Sequence, residues 1–107
     1  QNYGLREPAR QRLLQAAYAT LNLISFFTVG PDEVRAWTLR RGDNAVTAAG
    51  KIHTDLARGF IRAETVAADI LLAKGSLAAC RESGQLRLEG KGYVVQDGDV
   101  IEIRANA

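Results

Sequence analysis

Apolar residues near the start of the chain recur at the spacing of a helix. The segment "LREPARQRLLQAAYATLNL" carries apolar side chains three and four positions apart, which places them on one stripe of a helical surface. Pro8 suits the first helical position, where an N–H group has no partner within the helix. The residues of the stripe are Leu13, Leu14, Ala17, Tyr18 and Leu21. The pattern predicts an amino-terminal helix.

Two strand-like runs follow this helix, "LISFFTVG" and "EVRAWTL". Gly30, Pro31 and Asp32 separate them and are residues typical of a turn. Both runs carry apolar side chains on both of their alternating faces, whereas a sheet with one wet face would alternate more cleanly. We therefore expect the second face to be covered, either by the amino-terminal helix or by a neighbouring domain.

The next segment, "RRGDNAVTAAGKIHTDLARG", has the signals of a turn, a cap and a second helix. Asn44 or Asp43 can cap the first turn through a side-chain oxygen. Small apolar residues between Ala45 and Leu56 form a thin face that lets the helix lie close to a sheet. Gly59 is expected to end the helix in a left-handed conformation.

The remainder of the chain alternates between strand-like and irregular segments. "FIRAETVA" and "QLRLEG" are predicted strands, and "DILLAKGSLAACRESG" between them is irregular or briefly helical. "GYVVQDGDVIEIRA" indicates two short strands around the tight-turn pair Asp97-Gly98. The order of elements predicts an α+β fold with a mixed sheet of four or five strands around one main helix.

Composition limits the class of protein. A chain of 107 residues is long enough for one small domain with a modest core. The longest mostly apolar stretch, "LNLISFFTVG", is too short to span a bilayer, so we expect no membrane partner. A single cysteine, Cys80, cannot form an internal disulfide, and a reducing cytoplasmic setting is therefore expected. The net charge of +2 does not by itself indicate a nucleic-acid-binding protein.

The only histidine lies in "KIHTDLARGFIRAE" and has two possible interpretations. As a catalytic residue, His53 would pair with Cys80 and a carboxylate such as Asp55, but no nucleophile motif accompanies these residues. As a structural residue, it would act with Thr54 and Asp55 where the helix ends, since polar side chains there can bond exposed backbone groups. We favour the structural interpretation, and recognition by the same turn is compatible with it.

Two motifs together resemble the TGS domain, a small β-grasp (ubiquitin-like) module. They are "KIHTDLARGFIRAE", with its His-Thr-Asp triplet, and "VVQDGDVIEI", with the turn formed by Asp97, Gly98 and Asp99. Three longer segments, "LNLISFFTVGPDEVRAWTL", "IHTDLARGFIRAE" and "RLEGKGYVVQDGDV", resemble the carboxy-terminal region of the YchF-type, Obg-like ATPases. The sequence departs from that family's pattern at "LISFF", at "LARGF", between residues 74 and 83, and at "IEIRANA".

The resemblance implies a particular domain organisation. Residues 1–22 would form a helical segment leading from a G domain, and residues 23–107 would form the TGS-like β-grasp domain. The parent would bind ATP or GTP with magnesium, while this chain would hold no cofactor and no metal. The segment "GQLRLEGKG" has five residues between Gly84 and Gly90 and ends in Gly92, so it lacks the spacing and the hydroxyl of a phosphate loop. We expect a non-catalytic regulatory or binding module.

Basic residues near the turns are the candidate contacts to structured RNA or the ribosome, because phosphate contacts need cationic groups on one surface. They are Arg58, Arg62, Lys51, Arg40, Arg41, Arg87 and Lys91. Arg87 and Lys91 would join the others if their strands lie side by side. A simpler possibility is that Arg35 and Arg62 pair with Glu33 and Glu64.

Aromatic residues and apolar patches separate the remaining alternatives. Trp37 and Tyr93 would strengthen RNA binding by stacking if they were exposed, although we expect Trp37 to be packed. An exposed apolar patch near Phe26, Phe27 or Trp37 would instead favour a module that packs on its own G domain without touching nucleic acid. A pocket uniting His53 with Cys80 would indicate an independent small enzyme.

Overall fold

The computed structural model describes residues 7–106, in which five helices and five strands are present. The helices are α1 (Glu7–Leu21), α2 (Ala45–Ile52), α3 (Thr54–Arg58), α4 (Ala68–Lys74) and α5 (Leu77–Glu82). The strands are β1 (Leu23–Val29), β2 (Val34–Arg40), β3 (Phe60–Ala67), β4 (Arg87–Glu89) and β5 (Asp99–Ala105). The predicted α+β class and the amino-terminal helix are confirmed.

The five strands form one mixed sheet in the order β2-β1-β5-β3-β4. β1 and β5 run parallel, with Phe27 beside Val100, and the other neighbouring pairs are antiparallel. The predicted turn connects β1 to β2, where the Gly30 N–H donates to the Glu33 carbonyl at 2.8 Å. The first and last strands of the domain therefore meet at the centre of the sheet, beneath α2.

The larger core lies between α2 and the face of the sheet that α2 covers, called here the first face. Ala45, Ala48 and Ala49 are fully buried against it, which confirms the small-residue face predicted for this helix. The Asn44 side chain caps α2 by accepting a hydrogen bond from the Thr47 N–H at 3.0 Å. The larger buried side chains of this core are Ile24, Phe26, Leu39, Val95 and Ile101.

The opposite, second face of the sheet is covered only in part. Val66, Val100 and Cys80 form a smaller core there, packed against residues of α4 and α5. These helices occupy the segment for which the sequence indicated irregular or brief helical structure. α1 contacts β1 beside them. The sequence predicted that the amino-terminal helix or a neighbouring domain would cover this face. It did not predict that α4 and α5 cover part of it.

The main helix is shorter than the sequence predicted. The expected helix from Ala45 to Leu56 is interrupted at His53, whose backbone is extended, and α3 begins immediately afterwards. Gly59 follows α3 with φ −98°, so the predicted left-handed ending is wrong. Glycine is needed there for a steric reason, because a Cβ atom would lie 2.2 Å from the Asn106 carbonyl oxygen.

The predicted hairpin around Asp97-Gly98 is only half present. Gly98 has a positive φ of 87°, as the tight turn requires, and β5 follows it. The segment before the turn is not a strand, because its backbone bonds to the entrance of α2 instead of to β5. The Val95 N–H donates to the Asp43 carbonyl at 3.0 Å, and the Ala45 N–H donates to the Tyr93 carbonyl at 2.9 Å.

Candidate functional site

His53 joins α2 to α3 through hydrogen bonds with the backbone. Its N–H donates to the Ala49 carbonyl, and its Nδ1 atom accepts from the Asp55 N–H, each at 3.0 Å. The side chains of His53 and Asp55 are 63% and 65% exposed. Asp55 also lies 3.5 Å from the Arg58 guanidinium, and Thr54 is exposed. The contacts of this turn are local and cap the start of α3.

Cys80 and His53 lie on opposite sides of the sheet. Cys80 is fully buried in the smaller core with Val66 and Val100, on the second face. His53 is exposed at the end of α2, which covers the first face. The sheet therefore separates the thiol from the imidazole, and the Cys–His interpretation has no geometric basis.

The basic residues singled out from the sequence do not share one surface. Arg40 pairs with Leu23 at one end of the sheet, and Arg41 follows it. Arg62 pairs with Arg104 towards the other end, roughly 25 Å away along the strand direction. On the side of the first face, Lys51 lies exposed on α2 and Arg58 lies on α3 with 81% of its side chain exposed.

Arg87 lies on the opposite face from Arg62, although β3 and β4 are side by side. Arg87 pairs with Thr65, whereas Arg62 alternates to the second face. The Arg87 guanidinium lies 3.1 Å from Glu89, 3.3 Å from the Tyr93 hydroxyl and 3.6 Å from Asp99. Burial tends to lower its pKa, but these partners raise it above the ordinary value. Lys91 is exposed beyond β4.

Three arginines converge on one buried carboxylate on the second face. Glu64 is only 5% exposed, and its oxygens accept hydrogen bonds from Arg81 at 2.9 Å and from Arg62 and Arg104 at 3.3 Å. The arginine side chains are 44% to 52% exposed and come from α5, β3 and β5. We call these four residues the Glu64 cluster.

The arginines keep Glu64 ionised in spite of its burial. Burial alone would raise the pKa of the Glu64 carboxyl, but the hydrogen bonds from Arg104, Arg81 and Arg62 lower it below its ordinary value. The same contact raises the pKa of Arg104, which also lies 3.6 Å from Glu102. Each guanidinium group in this cluster is therefore held in place by the same buried carboxylate.

Sequence reasoning found only part of the Glu64 cluster. It proposed the pair of Arg62 with Glu64, which is confirmed, and missed Arg81 and Arg104. These two lie 17 and 40 residues from Glu64 along the chain, so no local spacing connects them. The register of β3 with β5 brings Arg104 beside Arg62, and α5 brings Arg81 over the sheet.

The two aromatic candidates for base stacking, Trp37 and Tyr93, are both partly buried against the larger core. Trp37 is half-buried and stacks on Phe26 with the ring centroids 6.3 Å apart. The Trp37 ring N–H donates to the Thr28 hydroxyl, and the Arg35 guanidinium lies 4.2 Å from the ring centroid. Arg35 therefore pairs with Trp37, and the expected pair of Arg35 with Glu33 is not observed within residues 7–106.

An open cleft separates α1 from the second face of the sheet. Its volume is about 790 Å³, and Leu14, Phe27 and Arg41 contribute to its walls. Leu13, Leu14 and Leu21 on α1 are each more than half exposed. The predicted apolar stripe of α1 is therefore largely uncovered within the part of the chain that the structure describes.

No group of His, Cys, Asp and Glu residues within positions 7–106 is suited to hold a metal ion. None of the five helices in this range combines the length and the apolar composition that a membrane-spanning helix needs. β4 occupies the middle of the segment from Gly84 to Gly92, which does not fit the loop conformation that cradles a nucleotide phosphate.

A mixed sheet that holds a helix on one face, with a capped turn after that helix, defines a β-grasp domain of the α+β class. The sequence pattern of the family YchF-GTPase_C, described as "Protein of unknown function (DUF933)", matches residues 23–106. The chain belongs to this family and corresponds to the carboxy-terminal domain of the YchF-type ATPases.

Known proteins resemble the chain over nearly all of its length. It is 54% identical over 103 residues to "Ribosome-binding ATPase YchF" of Bacillus subtilis (strain 168), covering 96% of this chain and 28% of the relative. It is 47% identical to "Obg-like ATPase 1" of Gallus gallus, covering 96% and 26% of the two chains. The chain thus spans less than a third of the length of these relatives, and the catalytic domain lies outside the matched region.

A solved structure supports the same assignment. The YchF GTPase of Schizosaccharomyces pombe aligns with a TM-score of 0.81 and 40% sequence identity, covering 87% of this chain and 25% of that one. The fold implied by the sequence resemblance is therefore confirmed.

Proposed function

We propose that this chain is a non-catalytic binding module of a YchF-type ATPase and that it contributes to ribosome contact through the Glu64 cluster. The name of the Bacillus subtilis relative describes ribosome binding by the whole protein. The observation that carries the proposal is the convergence of Arg62, Arg81 and Arg104 on Glu64, with all three arginine side chains about half exposed.

Such an arrangement suits contact with phosphate groups of structured RNA. A guanidinium presents several N–H donors in a planar fork, and Glu64 uses only some of them on each arginine. Because Glu64 holds the arginines in place, less side-chain freedom is lost when the remaining donors bind phosphate. Arg58 lies near the same end of the sheet but on the side of the first face, with 81% of its side chain exposed.

Nucleotide hydrolysis belongs, in this proposal, to a G domain of the parent protein. ATP or GTP with magnesium would bind there, since residues 84–92 of this chain do not fit a phosphate loop. This module would then couple the state of that domain to ribosome contact. A ribosomal partner would also place the protein in the cytoplasm.

Ribosome sedimentation across a salt series tests the proposal. Replacing Arg81 and Arg104 with glutamine should weaken binding and flatten the salt dependence by about one unit for each phosphate group that is no longer bound. The matched control replaces Arg40 and Arg41, at the other end of the sheet, and should have a smaller effect. Melting temperatures of all variants distinguish weaker binding from weaker folding. Equal effects of the two pairs would contradict a contact localised at the Glu64 cluster.

The exposed stripe of α1 favours a second function, which is packing on the parent's own G domain. Leu14 lines the open cleft, and Leu13 and Leu21 expose further apolar surface. In the full-length parent, α1 should then be more protected from hydrogen exchange than in the isolated chain. Equal protection in both would argue against this packing.

A further inference from the structure

β2 is the edge of the sheet that is open to pairing with another strand. It pairs with β1 over seven consecutive residues without a register shift, from Leu23 with Arg40 to Val29 with Val34. The other edge, β4, has only three residues. Long and regular edges are templates for a further strand, whereas short edges are not. Within residues 7–106, no element pairs with the outer side of β2.

The direction of each backbone group in β2 follows from the hydrogen bonds at its two ends. The Glu33 carbonyl accepts from Gly30, and the Arg41 N–H donates to Asn22, each at 2.8 Å. Because antiparallel strands alternate inward and outward groups, the odd-numbered residues of β2 face β1. The even-numbered residues therefore direct their N–H and C=O groups away from the sheet.

The outward backbone groups of one even-numbered residue, Arg40, already have hydrogen-bond partners. The Arg40 N–H donates to the Asp43 carboxylate at 3.1 Å, and the Asp43 N–H donates to the Arg40 carbonyl at 3.0 Å. The open stretch is thereby limited to Val34, Ala36 and Thr38, all of which are exposed. This stretch is symmetric about Ala36.

We propose that β2 pairs antiparallel with β2 of a second copy of this chain, about a two-fold axis at Ala36. In this register Val34 lies opposite Thr38 of the second copy, and Ala36 lies opposite its own equivalent. All three residues then exchange both of their outward backbone hydrogen bonds with the second copy. The interface is self-complementary, as a two-fold contact between identical chains must be.

The charges that flank β2 favour a second copy over an unrelated strand. Asp32 precedes β2 and Arg40 ends it, so the two ends of the strand carry opposite charges. Antiparallel pairing about Ala36 brings the turn that carries Asp32 towards Arg40 of the second copy at both ends. Neither side chain makes an ion pair within residues 7–106, so both are available.

The residues near the axis also fit this register. Ala36 has a small side chain, which leaves room where the two strands cross the axis. Arg35 lies opposite Trp37 of the second copy, and its guanidinium already lies 4.2 Å from the Trp37 ring of its own chain. Cross-strand pairs of this kind stabilise antiparallel pairing.

Sedimentation velocity of the 107-residue chain, from about 1 µM to about 1 mM, measures this association. Ala36→Pro removes an outward N–H group and leaves the hydrogen bonds to β1 intact. We expect this variant to remain monomeric over the whole range. The control Ala36→Ser keeps the N–H group and should associate like the unchanged chain. Association of Ala36→Pro equal to that of the control would overturn the proposal.

A charge exchange tests the register itself. Asp32→Arg and Arg40→Asp should each raise the dissociation constant by about tenfold, because like charges then face each other at both ends. An equimolar mixture of the two variants should recover association, since every facing pair is again of opposite charge. If the mixture associates no more tightly than either variant alone, the proposed register is wrong. If the unchanged chain is monomeric at every concentration, the proposed pairing of two copies is wrong. This conclusion holds even if a strand from another protein binds β2.

Discussion

A nitrogen of the Arg104 guanidinium lies 3.3 Å from a carboxylate oxygen of Glu64, forty residues earlier in the chain. The pairing of β3 with β5 creates this contact, because it places Arg62 opposite Arg104 and Glu64 opposite Glu102. A charged group that is almost fully buried is tolerated only when its hydrogen bonds are satisfied. The Glu64 cluster therefore contributes to the fold as well as presenting three arginines on the surface.

Replacing Glu64 with Gln should lower the free energy of unfolding at neutral pH by about 2 kcal/mol, because charge-assisted hydrogen bonds from three arginines are weakened. The pKa of Glu64 is lower in the folded chain than its ordinary value of 4.5. Its contribution to stability is therefore complete above pH 4.5 and is lost as the pH falls through the folded-state pKa.

Urea unfolding between neutral and acidic pH measures this contribution. The gap in unfolding free energy between the unchanged chain and Glu64→Gln should narrow once the pH falls below 4.5. Glu102→Gln is a matched control on the neighbouring strand, since the Glu102 side chain is 43% exposed and its one ion pair within residues 7–106 is with Arg104. A gap that stays constant down to the acid transition would contradict the assigned role of Glu64.

Gly59→Ala should be strongly destabilising. The added Cβ would lie 2.2 Å from the Asn106 carbonyl oxygen, so the backbone at the end of β5 must shift. We expect the free energy of unfolding to fall by about 3 kcal/mol, consistent with overpacking of a rigid contact. Gly92→Ala is the control, because nothing lies within 4 Å of its added Cβ. Thermal unfolding checks both variants. Similar melting temperatures would show that the close approach of Asn106 does not require glycine at position 59.

His53→Ala should lower the free energy of unfolding by about 1 kcal/mol, because the Asp55 N–H loses the imidazole nitrogen that accepts its hydrogen bond. Asn at position 53 can supply an oxygen acceptor, so His53→Asn should recover part of the loss. Chemical unfolding of the three proteins tests this role. A large loss of ribosome binding without a change in stability would instead indicate recognition by the His53 turn.

Local patterns along the chain were sufficient to predict most of the fold. The spacing of small residues predicted α2, and Gly30, Pro31 and Asp32 predicted the turn between β1 and β2. The motif containing His53 supported the β-grasp architecture through resemblance.

The remaining errors arose where distant backbone segments compete with local preference. Residues 93–96 look like half of a hairpin, yet they bond to Asp43 and Ala45 at the entrance of α2. Gly59 follows a helix, where glycine is typical of a left-handed ending. Glycine is required there because the backbone of Asn106, near the other end of the domain, leaves no room for a side chain. Neither contact has a signal in local spacing.

The candidate site was predicted less completely than the fold. The basic residues singled out from the sequence lie near several predicted turns and loops, whereas the sheet divides them between its faces and ends. Arg81 was overlooked because it lies in a segment without strong periodicity, and only the packing of α5 brings it to Glu64. Tertiary position, which sequence spacing does not encode, determines which arginines act together.

Photo-crosslinking from a position beside the Glu64 cluster is the most direct test of ribosome contact through that cluster. Leu88 lies beside Glu64 across β3 and β4 and is 67% exposed, so a photoreactive amino acid there samples the surface around the cluster. Leu72 on α4, which is 83% exposed, provides the matched control position. In the full-length parent bound to ribosomes, we predict crosslinks to ribosomal RNA from position 88 well above those from position 72. Equal yields at the two positions, or crosslinks from position 88 only to the parent's own G domain, would contradict ribosome contact through the Glu64 cluster.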